Sequence, residues 1–186
     1  MDEVAAARAA SERFCAIYGA TPPPLDVEDL AASLYKLRVR AASDLAAVPG
    51  APAGVPLSGL LLPHLFEIWV RSDESETRRR FSIAHETGHW VLHVPAARAV
   101  FCRETDVRPD TARAGRLVER QANRFAAELL MPEAAVREEV ARLGARPQAL
   151  AARFQVSPIA MAYRLVNLGY LETPPPELER ERRDPL

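Results

Sequence analysis

Residues 84–93 read Ala84-His85-Glu86-Thr87-Gly88-His89-Trp90-Val91-Leu92-His93, and three of the four histidines in the chain fall within this stretch. The pattern around it has helical period from Thr77, and Pro95 closes it, which predicts one apolar helix from Thr77 to His93. Residues four apart on a helix stand about one turn (~6 Å) apart on one face, so His85 and His89 can aim imidazole nitrogens at a single ion ~2.0–2.1 Å away. Glu86 sits beside them. This pattern suits zinc, which lowers the pKa of water it binds to roughly 7 while the neighbouring carboxylate takes the proton and hands it to the leaving amine. The competing reading is a surface helix that carries histidines by chance. The apolar setting of the motif favours the metal.

Catalytic zinc usually has three protein ligands and one open position. His93 lies ~12 Å along an unbroken helix from His85, too far for three imidazoles to meet one ion. Gly88 falls between the first two histidines and cannot turn the chain after His89. His93 is left to support the site, to face substrate or to pack between helices. Glu119 is the preferred third ligand, because it opens the run Glu119–Pro132 on a predicted helix (Thr111 to Leu130) whose apolar stripe of Ala122, Phe125, Ala126 and Leu129 could pack it against the His85–His89 helix. Asn123, one turn on, could accept a ligand histidine's free ring N–H and set its tautomer. Glu128 is the competitor to Glu119, and both cannot face one ion from a single helix.

Phe81-Ser-Ile-Ala-His-Glu-Thr-Gly-His-Trp-Val-Leu-His93, followed by Glu119-Arg-Gln-Ala-Asn-Arg-Phe-Ala-Ala-Glu-Leu-Leu-Met-Pro132, resembles the ImmA/IrrE family of metallo-endopeptidases. The resemblance extends from Pro24-Leu-Asp-Val-Glu-Asp-Leu30 through Ser58-Gly-Leu60 to about Leu171. It implies a minimal zincin-like domain, a glutamate third ligand at Glu119, and proteolysis of a helix-turn-helix repressor or antitoxin. Gln121 departs from the acid that relatives often carry there, which leaves Glu119 less ambiguous.

The expected fold class is α+β, mostly helical with a small three-stranded antiparallel sheet. Asp2 to Tyr18 reads as a first helix, and Asp26 as the N-cap of a second that runs to Tyr35. Lys36–Ala42, Ser58–Leu62 and Leu65–Arg71 are the candidate strands, and the Pro/Gly-rich stretch from Asp44 to Pro56 reads as a poorly ordered loop. Arg103 to Asp110 is a polar loop; Pro132 opens a helix that ends at Gly144. Pro147–Phe154 and Pro158–Leu168 read like a helix-turn-helix, with Val156 packing the turn and Ser157 capping the second helix. The expected organisation is a peptidase domain over residues 1–145, the helix-turn-helix-like segment over 146–171 packed on it, and a disordered tail over 172–186.

A reader of DNA needs base-edge donors on the exposed face of that second helix, and only Tyr163, Arg164 and Asn167 could serve, with no basic cluster around them. The chain's net charge of −1 also excludes a whole-molecule attraction to polyanions. DNA binding is therefore disfavoured, and the alternative function is a DNA- or protein-binding regulator with a structural metal. Cys15 and Cys102 form no disulfide framework and no signal segment opens the chain, so a reducing cytoplasm is the expected compartment. Leu57 to Val70, the most apolar stretch, is broken by Pro63, His64 and Glu67 short of the ~20 residues that span a membrane. Tyr163, His93 and His64 are the candidates, by chemistry alone, for stabilising an oxyanion.

Overall fold

The computed structural model describes residues 2–19, 23–52, 57–94 and 111–183. The loop Arg103–Asp110 and the closure at Pro95 lie outside the described residues. Helix α1 (Glu3–Tyr18) starts at Asp2, whose carboxylate accepts the Val4 amide at 3.0 Å, and ends at Gly19 with φ 66°, a left-handed turn that glycine enters without a Cβ clash. Helix α2 (Val27–Tyr35) is capped by Asp26 through the Asp29 amide at 2.9 Å. Strands β1 (Arg38–Ala42), β2 (Gly59–Leu62) and β3 (Glu67–Arg71) precede α3 (Glu76–His93), α4 (Thr111–Leu130), α5 (Glu133–Leu143), α6 (Pro147–Phe154), α7 (Pro158–Asn167) and α8 (Pro176–Arg183).

The sheet is mixed rather than antiparallel, with strand order β1-β3-β2. β2 and β3, joined by a short 3-10 turn at Pro63–Leu65, pair antiparallel with Gly59 opposite Val70, whereas β1 pairs with β3 in parallel with Val39 opposite Ile68. A parallel neighbour needs a crossover of a dozen or more residues, and the chain between β1 and β3 provides it by visiting β2 on the far side. Alternation along a strand carries no record of direction, so the sequence could not show this.

Both faces of the sheet are covered. Val39, Leu61, Ile68 and Val70 join the main core with α3, while Leu60, Leu62 and Trp69 meet Leu45, Val48 and Leu57 on the other side. The expected loop at Asp44–Pro56 is thus partly structured: Asp44 caps a 3-10 turn (Leu45–Ala47), and Leu45 and Val48 are buried. Residues 53–56 lie outside the described residues. β2 is buried throughout, which explains why Gly-Leu-Leu-Leu shows no polar alternation.

Helices α6 and α7 turn at Gln155, which adopts φ 52°, and Ser157 caps α7 by accepting the Ala160 amide at 3.3 Å. Leu150, Phe154, Met161 and Leu165 belong to the same core as α1–α4. Arg164 points into that core and not outward. It pairs with Glu128 of α4, and its Nε donates to the Met131 carbonyl at 3.0 Å. Arg8 of α1 donates to the same Glu128 at 2.7 Å. Within the expected disordered tail, of which residues 184–186 lie outside the described residues, Pro176–Arg183 instead form α8. Its single leucine, Leu178, is 3% exposed, and Tyr163 of α7 donates to Glu179 at 3.3 Å. One apolar residue among charges was enough to dock the helix, a signal that average composition hides.

Among the described residues, no helix is long and apolar enough to cross a membrane.

Candidate metal centre

Ser75 begins α3 by accepting the Arg78 amide, and the helix then buries every residue from Ser82 to His89. It lies between the sheet and α4. The close approach to α4 depends on Gly88: a Cβ there would stand 3.0 Å from Phe125 Cδ1 and 3.2 Å from Phe125 Cβ and Cγ. With no side chain at 88, α4 sits near enough for Glu119 to reach the histidines.

His85 Nε2 lies 3.0 Å from His89 Nε2 and 3.2 Å from Glu119 Oε2, and His89 Nε2 lies 3.4 Å from Glu119 Oε1. These three make the metal-capable cluster found among the described residues. The separations suit a zinc ion. A tetrahedron with ligands at ~2.0–2.1 Å has edges of ~3.3–3.4 Å, and two imidazoles with a carboxylate are an N/O donor set of the right kind. Asn123 Oδ1 is 2.9 Å from His85 Nδ1, placed to accept that ring's Nδ1–H, while Nε2 faces Glu119 and His89.

Burial opposes charge on both partners here, but the contacts outweigh it. His85 is raised above its ordinary value, burial working against this and the hydrogen bond of Glu119 with the charges of Glu86 and Glu119 prevailing. Glu119, likewise resisted by burial, is held at about 2 by hydrogen bonds from His85 and His89. A carboxylate ionised so firmly is ready to meet a cation.

Glu86 is buried, at 1% exposure, and lies against the start of β2. Glu128 is committed to Arg164 and Arg8 and has no place in the metal cluster. His93 stays outside the cluster, with its ring 5.5 Å from that of His89 and its Nε2 buried without a hydrogen-bond partner among the described residues. Of the other candidate oxyanion donors, His64 is exposed in the 3-10 turn and Tyr163 is engaged by Glu179. Sequence reasoning missed two glycines that shape the site, Gly59 and Gly88, because only packing shows what a missing Cβ permits.

Residues 62–166 match the peptidase M78 family model, described as the IrrE N-terminal-like domain. The chain belongs to that family. It is also 30% identical over 172 residues to the radiation response metalloprotease IrrE of Deinococcus radiodurans, an alignment covering 79% of this chain and 48% of that protein. The chain therefore spans about half the length of this curated relative. A Mycobacterium tuberculosis transcriptional regulator shares the fold, with a TM-score of 0.60 at 18% identity over 87% of this chain and 46% of that one. The family match includes α3 and α4, the two helices that carry the metal-capable cluster of this M78 member.

Proposed function

We propose that this chain is a zinc-dependent endopeptidase that cleaves a partner protein, a helix-turn-helix repressor or antitoxin. The observation that carries the reading is the convergence of His85, His89 and Glu119: the two imidazole Nε2 atoms lie 3.0 Å apart, and Glu119 brings Oε2 to 3.2 Å from the first and Oε1 to 3.4 Å from the second, three donor residues that, among the described residues, would leave a fourth position of a tetrahedral ion open. An open position suits catalysis, whereas structural sites are closed by a fourth protein ligand. Bound zinc would supply Lewis acidity, polarising a peptide carbonyl and acidifying water. Glu86 takes the proton of the attacking water on its carboxylate and delivers it to the departing amine. Asn123, by accepting the Nδ1–H of His85, favours the tautomer that presents a lone pair on Nε2 to the metal. The partner class follows the family resemblance, and the M78 membership and the metalloprotease name of the Deinococcus relative support the reaction class.

The test is Glu86→Gln, which removes the base and leaves all three ligands. Zinc content should stay near one per chain while cleavage of a helix-turn-helix protein encoded beside this chain falls by roughly 10²–10⁴-fold. Unchanged cleavage would remove Glu86 from the mechanism, and a chain that takes up no zinc at neutral pH would end the reading.

A further inference from the structure

Gly59 opens β2, and the three atoms nearest to a Cβ placed on it all belong to Glu86: Oε1 at 2.6 Å, Cγ at 3.2 Å and Cδ at 3.3 Å. The Glu86 side chain thus lies along the Gly59 backbone in space that any other residue would fill. Unstrained C···O contacts run ~3.3–3.6 Å, so a methyl group at 59 would require a displacement of roughly 0.7–1 Å.

Which side gives way is decided by the surroundings. The strand is held at several points. Gly59 pairs with Val70, Leu60 and Leu61 are fully buried on opposite faces of the sheet, and Ser58 Oγ accepts Arg78 Nη2 from the first turn of α3 at 3.0 Å. Ser58 also bonds Glu74, just before that helix. The backbone of Glu86 is equally fixed, within the buried run Ser82–His89. The carboxylate end of Glu86, on three rotatable bonds, is the part that can move.

We infer that Gly59 is a positioning residue for the reaction: the missing side chain on β2 sets the rotamer that carries the Glu86 carboxylate. The inference rests on the peptidase reading for its consequence but on packing for its cause. Misplacing a reacting group by about 1 Å costs on the order of 10²-fold in rate, so Gly59→Ala should lose activity with the fold and the three ligands intact.

The experiment uses the full chain loaded with cobalt or zinc, in wild type, Gly59→Ala, Glu86→Ala and the double variant. Acetohydroxamate is the probe, since it chelates the metal and hydrogen-bonds a neighbouring carboxylate; its affinity is read from the visible spectrum of the cobalt protein. Gly59→Ala should keep metal affinity within about threefold and weaken acetohydroxamate by about 10–100-fold, the value of a hydrogen bond to a charged group. In the Glu86→Ala background the same change should do nothing further, because the side-chain atoms through which it acts are gone. With labelled casein and zinc, kcat should fall while KM holds; a raised KM at constant kcat would make β2 a substrate contact instead and overturn the inference.

Acetohydroxamate binding equal to wild type in Gly59→Ala would also overturn it. A wild-type chain that binds acetohydroxamate but hydrolyses no protein counts against the peptidase reading alone, and the hydroxamate comparison still decides the role of Gly59. If Gly59→Ala folds poorly, Gly59→Ala/Glu86→Ala lacks every atom in the clash and must recover wild-type metal content. A double variant that still fails places the strain in β2 itself and refutes the assignment.

Discussion

Replacing Gly88 with alanine tests whether the α3–α4 approach builds the metal site. The new Cβ would meet Phe125 at 3.0–3.2 Å, including that residue's Cβ, against the ~3.5–4.0 Å of a comfortable carbon contact. Because Phe125 is fully buried and its Cβ is tied to the backbone, α4 must shift by roughly half an ångström rather than one side chain turning away. Glu119 and Asn123 ride on the same helix. Overpacking costs about 1–3 kcal/mol and the better helix propensity of alanine returns about 0.5–1 kcal/mol, so the fold should lose about 0–2.5 kcal/mol. At about 2–4 °C per kcal/mol, the melting temperature of the metal-free protein falls by no more than about 10 °C. Metal affinity is hit harder for its size, by about 10–100-fold, as for other changes that disturb ligand placement. The assay is zinc competition against a chelator beside thermal melts of the metal-free protein. A Gly88→Ala protein that binds zinc like wild type would refute the idea that this contact sets ligand geometry.

Glu128→Ala and Glu119→Ala should behave as opposites. The first strands Arg164 in the core, destabilising by about 3–5 kcal/mol in urea melts with zinc stoichiometry intact, and the second abolishes tight zinc binding at modest cost to the fold; the reverse pattern would exchange their roles. Asn123→Ala frees His85 to change tautomer and should reduce zinc affinity by about 10–100-fold, measurable by the same competition, whereas no change would show that the 2.9 Å contact is incidental. Zinc affinity should fall with pH, because the raised His85 gains its proton sooner than an ordinary histidine as pH drops, while Glu119, held at about 2, stays ionised throughout. Below the His85 pKa the loss should approach tenfold per pH unit, and a flat profile between about pH 8 and pH 5 would rule His85 out as a ligand.

The helices were legible because their determinants are local. Asp26 before Val27, Ser157 before Pro158 and the 3.6-residue stripe of α4 each specify an end or a face without help from the rest of the chain. The metal cluster was legible for a related reason: one helical turn already joins His85 to His89, and one apolar stripe brings Glu119 to them. What failed depended on distant partners. The direction of β1 is set by where the intervening chain travels, and the docking of α8 by its contact with α7, where Tyr163 meets Glu179 and Leu178 is buried. Arg164 looked like a surface donor because its own helix offers no hint of the carboxylate at Glu128, 36 residues earlier.

That 36-residue separation has a meaning for how the protein is made. At about 5–20 residues per second, Arg164 is synthesised about 2–7 s after Glu128. Any compact state formed in that interval encloses the Glu128 carboxylate with Arg8 as its only cationic partner in the finished pairing. The Glu128 end of α4 is therefore completed only once α7 has emerged, whereas the packing of α4 on α1 and α3 needs no later part of the chain.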